Sequence, residues 1–430
     1  MTRAAPILAA LCTTVLVLAE TATETHAERL VVGLRGPVSA ATDTRIVQES
    51  GTRLVRPIAP LDALQLSVAS ARRAAALATL RADADVAFAV VDTVVHAPDG
   101  PLGPPIAGIA RVPNDRGFPR QHGMSQPRDH DIDAPQAWSR DTTCAKVAVL
   151  DTGVALGHRD LRPNLWRNPG EIPANGIDDD HDGYVDDVYG ADVLRGSGSG
   201  ADHNGHGTHV AGIIAARGDN RHGVAGVCWK AQIVSVRFLD AQATGRLGDA
   251  AAGIVYAIGK GAKVINASFA GPDPTDIMRR AVAYAQSQGA LIVTSAGNAG
   301  TDDDTLPAYP ASFPDQSILS VTSTDDQDHM APTANFGAGS VDLAAPGVGI
   351  ASTWPTGIYR DMSGTSQAAA FVSGAAAMLR AAAHPSLARL RNLLLDSVDR
   401  KPGLAGKTVS GGRLNLDKAL HRATRNPRAQ

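Results

Sequence analysis

From about Gln121 onward, short apolar runs alternate with helical stretches, and few folds accommodate such a chain. Val147–Leu150, Ile233–Phe238, Val264–Ser268, Leu291–Ser295, Ile318–Thr322 and Val341–Leu343 read as strands. Helical patterns fall between them at Val210–Ala216, Asp249–Ile258 and Ile277–Gln288, and a long Ala-rich helix follows Ser366. Strands joined through helices run parallel in one sheet covered on both faces, so the expected class is α/β with a mostly parallel central sheet. Active residues in such a sheet sit at the carboxyl ends of the strands. Aromatic residues are only 4% of the chain and glycines number 43, so the core must come from Ala, Val, Ile and Leu with close backbone approaches.

The chain before Gln121 is organised differently. Arg3, the apolar run Pro6–Ala19 and the small residues Ala19, Ala22 and Ala27 read as a removable export signal over 1–27. The run is shorter than the roughly 20 residues a membrane span needs, and no later stretch qualifies, so the expected product is exported, to the medium or a periplasm. Residues 28–96 read as strand, helix, strand, helix, strand, with apolar runs at Leu30–Leu34, Leu64–Val68 and Val86–Val95 and a helix at Ala71–Leu80. Residues 97–120 carry Pro98, Pro101, Pro104, Pro105 and Pro113 and read as an exposed, cleavable linker. The domain that follows is expected over 121–424, with a polar tail at 425–430. The formal charge of −3, with acids and bases intermixed, argues against a nucleic-acid or anionic-membrane surface.

Four local sequences carry chemistry. Val147–Gly153 (VAVLDTG) is a buried strand ending in Asp151, a carboxylate that is costly there without a partner, although a turn-capping Asp is a common alternative. His206–Gly212 (HGTHVAG) opens a helix; His206 and His209 share a face, which leaves a zinc pair open, but no HExxH pattern is present. Ser366 stands at the start of the Ala-rich helix, as a cap or as a nucleophile whose own N–H and helix dipole face a developing oxyanion. Asn298 follows a strand, as a turn residue or as a second oxyanion donor. The order Asp, His, Ser is one of the three known arrangements of this triad.

These pieces, with VINASFAGP at 264–272, YPASFPD at 309–315, VDLAAPG at 341–347 and SGTSQAAAFVSGAAAML at 363–379, resemble the subtilase family of serine peptidases. The resemblance runs from Asp131 to Ala423, with DIDAPQAWS as its start and GGRLNLDKAL as its last helix. It implies a subtilisin-like three-layer fold, a triad of Asp151, His206 and Ser366, and Asn298 as oxyanion donor. It also implies that residues 28–96 are a small α+β propeptide domain, a folding aid and inhibitor released by self-cleavage in the linker. The partners implied are polypeptide substrates and the chain's own propeptide. Ser268, Phe269, Ala270 and Gly271 would line one wall of the pocket for the residue preceding the cleaved bond, Ala308, Tyr309 and Pro310 would form its base region, and backbone around Thr244–Gly248, Gly245 included, and Phe269–Gly271 would pair with an extended substrate. The methyl groups of Ala270 and Ala308 suggest a shallow apolar pocket, whereas Asp302, Asp303 and Asp304 would favour a basic residue.

Two further expectations come from the residues themselves. Asp178, Asp180, Asp182, Tyr184, Asp186 and Asp187 follow the first half of a Ca2+ loop (D-x-D-x-D-G), without the closing Glu of an EF-hand. Cys144 and Cys228 each precede an apolar strand, and if those strands are neighbours a disulfide is geometrically reasonable; two buried thiols are the alternative. Against the family pattern, Gln367 stands where a Met usually follows the nucleophile, which predicts tolerance of peroxide.

Overall fold

The computed structural model describes residues 27–97 and 112–425. The export signal, most of the linker and the tail beyond Arg425 lie outside the described residues.

The N-terminal unit is a four-stranded antiparallel sheet with two helices. It comprises β1 (Ala27–Leu34), α1 (Ala40–Ser50), β2 (Arg53–Ile58), β3 (Ala63–Ala69), α2 (Arg73–Ala82) and β4 (Val86–Val91), in sheet order β2-β3-β1-β4. Strand alternation divides its apolar residues between two faces. Leu30, Val32, Leu64 and Leu66 pack with Ile46 and Leu80 of the helices, while Val31 and Ala63 join a core shared with the larger domain. The expected strand Val86–Val95 is broken at Asp92 and Thr93, so that β5 (Val94–His96) leaves this sheet to pair elsewhere. β2 was not located from sequence because Arg53, Arg56 and Pro57 give it no apolar period; it is an edge strand, where Pro is tolerated.

The larger domain begins with α3 (Ala134–Trp138) and β6 (Thr143–Asp151), followed by β7 (Gly190–Asp192), α4 (His206–Ala215), β8 (Lys230–Arg237), β9 (Thr244–Arg246) and α5 (Leu247–Gly259). Then come β10 (Val264–Ala267), α6 (Asp276–Ser287), β11 (Leu291–Ser295), β12 (Ile318–Thr324), β13 (Leu343–Pro346), the hairpin β14 (Ile350–Trp354) and β15 (Ile358–Met362), and α7 (Thr365–Ala383). The chain closes with α8 (Leu387–Asp396), β16 (Asp399–Arg400), β17 (Gly412–Arg413) and α9 (Leu416–Arg425). The central sheet has nine strands in the order β16-β17-β13-β12-β11-β10-β6-β8-β7, parallel except for the β16–β17 pair.

Each strand feeds both faces. Val147, Val149, Leu291 and Val293 meet α4, α7, α8 and α9; Ala148, Leu150, Ile265 and Ile292 meet α5 and α6. The result is three layers, with the N-terminal unit docked on the α5–α6 side. α7 fits the sheet because its inner residues are small: Ala368, Ala369, Ala370, Ala375, Ala376 and Ala377 are wholly buried. Neighbouring strands β6 and β8 bring Cys144 and Cys228 together, and they are bonded with Cα atoms 5.8 Å apart.

Candidate active site

β6, β10 and β11 are adjacent, and their carboxyl ends supply Asp151, Ser268 and Asn298 to one edge of the sheet. Asp151 is the last residue of β6 and wholly buried. Its Oδ1 and Oδ2 lie 2.8 and 2.9 Å from His206 Nδ1, and Oδ1 also accepts from the Thr152 N–H at 2.7 Å. A buried carboxylate is thereby partnered, and the imidazole is held with Nδ1 as donor, the tautomer that leaves Nε2 for proton transfer. The glycine between His206 and Thr208 permits this approach, since a Cβ on Gly207 would lie 2.2 Å from the Gly153 carbonyl oxygen.

His209 does not join His206. Its Nε2 donates to the Ile350 carbonyl at 3.0 Å and lies 3.1 Å from that of Arg360, tying α4 to the β14–β15 hairpin. Burial pushes its pKa down to about 3, so it is a neutral structural donor at ordinary pH. The zinc-pair alternative fails on this geometry.

Ser366 is the second residue of α7 and is wholly buried. Ser268 Oγ accepts from Asn266 Nδ2 at 2.8 Å and donates to the Ser366 carbonyl at 3.3 Å. Asn298 Oδ1 accepts from both Thr365 N and Thr365 Oγ1 at 3.0 Å, which orients its amide and leaves Nδ2 as the donor still to be used. The loop bearing Asn298 is clamped by Asn335, a residue that sequence reasoning missed. Asn335 Oδ1 accepts from the N–H groups of Ala299 (2.9 Å) and Thr301 (3.3 Å), while Nδ2 donates to the Ala296 carbonyl (3.2 Å) and Asp303 Oδ1 (2.9 Å). Gly297, at φ 124°, permits the contact, because a Cβ there would lie 2.5 Å from Asn335 Nδ2. Nothing in the local sequence Ala-Asn-Phe-Gly separates such a clamp from an ordinary turn.

An extended segment of the N-terminal unit already lies along this edge. β5 pairs antiparallel with β9, Val95 opposite Gly245, and His96 bridges to Ala270. Gly271 exchanges backbone hydrogen bonds with Tyr309 at 2.9 and 2.8 Å, and a Cβ on it would meet Val95 Cγ1 at 2.9 Å. Beside this segment is a cavity of about 500 Å³ whose walls include Ala270, Gly271, Asn298, Leu306, Ala308 and Tyr309. Phe269 turns away from it into the core, its ring 4.8 Å from that of Phe238, and Ser268 is likewise buried. Asp302, Asp303 and Asp304 do not line it. Asp303 is buried against Asn335, with its pKa raised to about 7 by burial, and Asp304 accepts from the Gly339 N–H at 3.1 Å.

The acidic loop divides into two parts. Asp178 accepts from the N–H groups of Asp182 and Gly183, and Asp186 from those of Asn175 and Gly176, so both carboxylates shape the turn. Carboxylate oxygens of Glu171, Asp178 and Asp180 come within 4.8 Å of one another, and those of Asp180, Asp182 and Asp187 do the same. The Lys260 ammonium pairs with Asp180, with Asp182 at 2.8 Å and with Asp187 at 3.2 Å. The Tyr184 ring is buried edge-on to Tyr256, 5.0 Å between centroids. Asp180 belongs to both trios: its Oδ2 takes part in holding the Lys260 ammonium with Asp182 and Asp187, while Glu171, Asp178 and the other Asp180 oxygen are hard donors that fit a calcium ion.

A doubly wound parallel sheet carrying a buried Asp–His pair, a serine at a helix opening and an oriented amide beside it defines a serine hydrolase of the α/β type. The comparisons place it further. The model of the subtilase family matches residues 143–414, and the chain belongs to that family. It is similar to thermitase of Thermoactinomyces vulgaris, at 37% identity over 72% of this chain and 99% of that protein. It is also similar to a thermophilic serine proteinase of Bacillus sp. (strain AK1), at 35% identity over 66% of this chain and 64% of that one. With subtilisin-like protease 1 of Plasmodium falciparum it shares 33% identity over 65% of this chain but only 44% of the relative. The chain is a subtilisin-like serine endopeptidase.

Proposed function

We propose that this peptidase is exported as a zymogen and cleaves polypeptides through Asp151, His206 and Ser366, with Asn298 as oxyanion donor. The observation that carries the reading is the buried Asp151–His206 contact of 2.8 Å at the carboxyl edge of the sheet. Ser366 Oγ attacks the carbonyl carbon while His206 Nε2 takes its proton, and the carbonyl electron pair moves onto oxygen. Asn298 Nδ2 and the Ser366 N–H receive that charge. Collapse breaks the C–N bond, His206 returns the proton to the leaving amine, and water releases the acyl group by the same steps. Asp151 keeps Nδ1 as donor throughout and stabilises the imidazolium.

Residues 28–96 are the inhibitory prosegment in this reading, and β5 occupies the strand position of a substrate between Gly245 and Ala270. Cleavage falls in the linker over 97–120. The apolar walls at Ala270, Leu306 and Ala308, with the three aspartates turned away, favour medium apolar side chains before the cleaved bond. Calcium is held at Asp178 and Asp180 with Glu171, a ligand the sequence pattern did not name; bound there, the ion would offset two of the three carboxylate charges and fix the loop.

The test is the intact mass of protein expressed from Glu28, wild type against Ser366→Ala. Loss of the prosegment by wild type alone is the expected result. Retention by both would overturn self-processing, and absence of any labelling of Ser366 by a fluorophosphonate would overturn the triad.

A further inference from the structure

The reading above leaves one buried polar group beside the nucleophile without work. Gln367 is wholly buried as the third residue of α7, and neither its Oε1 nor its Nε2 has a hydrogen-bond partner among the described residues. A primary amide stripped of water without partners costs about 1–3 kcal/mol. The usual structural task for Gln at this place is to reach back and accept from the N–H of the helix cap. Here that N–H belongs to Gly364 and already donates to the Gly347 carbonyl at 2.7 Å, so the task is taken.

What surrounds the amide is the reacting edge. The position a Cβ on Gly364 would occupy is 3.0 Å from Gln367 Oε1 and also 3.0 Å from Asn298 Nδ2. The two side-chain amides therefore flank the same bare glycine, two residues before Ser366. Ser366 Oγ is the neighbouring buried group that likewise has no partner among the described residues. Any side chain on Gly364 would fill the space between the amides, and its absence leaves room for a peptide group.

We infer that Gln367 is a further catalytic residue: its Oε1 faces Gly364 in the resting site, and a half-turn of the amide brings Nε2 to that place, where it donates to the scissile carbonyl oxygen as it becomes an oxyanion, beside Asn298 Nδ2 and the Ser366 N–H. The inference rests on the triad assigned above. It explains why the amide is left unpaired: its partner arrives with the substrate, and its desolvation is already complete when charge develops.

Gln367→Met removes both hydrogen-bonding atoms while keeping a flexible side chain of similar length. In the processed enzyme it lowers kcat about tenfold with KM within twofold, and it weakens a peptide aldehyde, which forms a tetrahedral adduct on Ser366, by the same factor. Gln367→Glu, which keeps the shape but brings an anion to the oxyanion, loses about a hundredfold in kcat. Thermal midpoints are measured for each variant, and Gln367→Asn is the second variant should Gln367→Met fail to fold. Unchanged kcat and aldehyde affinity in a folded Gln367→Met, or an effect confined to KM, overturns the inference. A wild type that turns over nothing, like Ser366→Ala, overturns instead the reading on which it rests.

Discussion

On the reading of residues 28–96 as a prosegment, its release is expected to depend on pH through Asp92. This residue ends the N-terminal sheet and caps α5, its Oδ1 accepting from the Gly248 N–H at 2.7 Å and its Oδ2 from Gln65 Nε2 at 2.8 Å. Gln65 Nε2 also reaches Asp249 Oδ1 at 3.1 Å, so two carboxylates share one amide in a buried interface. Asp249 has its own cations, Arg29 at 3.1 Å and Arg56 at 3.2 Å, both from the N-terminal unit, while Arg246 donates to the Asp92 carbonyl oxygen. Burial, and then the Asp249 charge, raise Asp92 from 3.8 to about 6. The docked state therefore binds a proton more tightly than the released one. Docking is strongest at low pH and weakens as pH rises from about 4 to about 6. A shift of about two units is worth about 2.7 kcal/mol over the whole window, and the part between pH 5 and pH 8 amounts to about tenfold in the dissociation constant. The assay uses Ser366→Ala nicked in the linker by a trace of wild type, with dissociation of the prosegment followed by size exclusion at both pH values. Asp92→Asn should flatten the profile, and His96→Asn, in the docked strand, serves as control. Equal dissociation constants at the two pH values, or an undiminished slope in Asp92→Asn, would refute the argument.

Three other outcomes follow from the same structure. Closing a loop with a sequence separation of 84 through Cys144–Cys228 restricts the unfolded chain, so the Cys144→Ala/Cys228→Ala variant should lose about 4 kcal/mol in urea unfolding of the Ser366→Ala protein. His209 is held neutral at about 3, against about 6.5 when unfolded, so the unfolded state takes up the extra proton as pH falls; stability should drop by about 2 kcal/mol between pH 7 and pH 5, with His209→Gln reducing that slope. Activity should survive mild peroxide, since Gln367 offers no sulfur beside Ser366 and Met124, Met278, Met362 and Met378 are buried; rapid inactivation without oxidation elsewhere would count against it.

What was legible in the sequence, and what was not, divides along physical lines. The strands β6, β8, β10, β11 and β12 were readable because a parallel sheet buried on both faces demands runs dominated by apolar and β-branched residues. β14 and β15 were not, because a two-stranded hairpin at the rim mixes Ser, Thr, Tyr, Arg and Asp with its apolar residues. β16 and β17 are two residues each and leave no period to detect. At the site, Asp151, His206 and Ser366 stood out because each lies at the end or the first turn of a regular element, and Asn298 because it follows one closely; a polar residue at such a junction breaks an otherwise apolar pattern. Asn335 and Glu171 lie in irregular segments with no period to mark them, and only the folded chain shows what they hold. Phe269 shows the opposite error: it sits inside a readable motif, yet a motif fixes the path of the backbone and not the side to which each residue faces. The same limit applies to Gln367. Its place after Ser366 marked it as a departure, but only the fold reveals the Gly364–Gly347 hydrogen bond, which removes the ordinary task of a glutamine in the first turn of a helix.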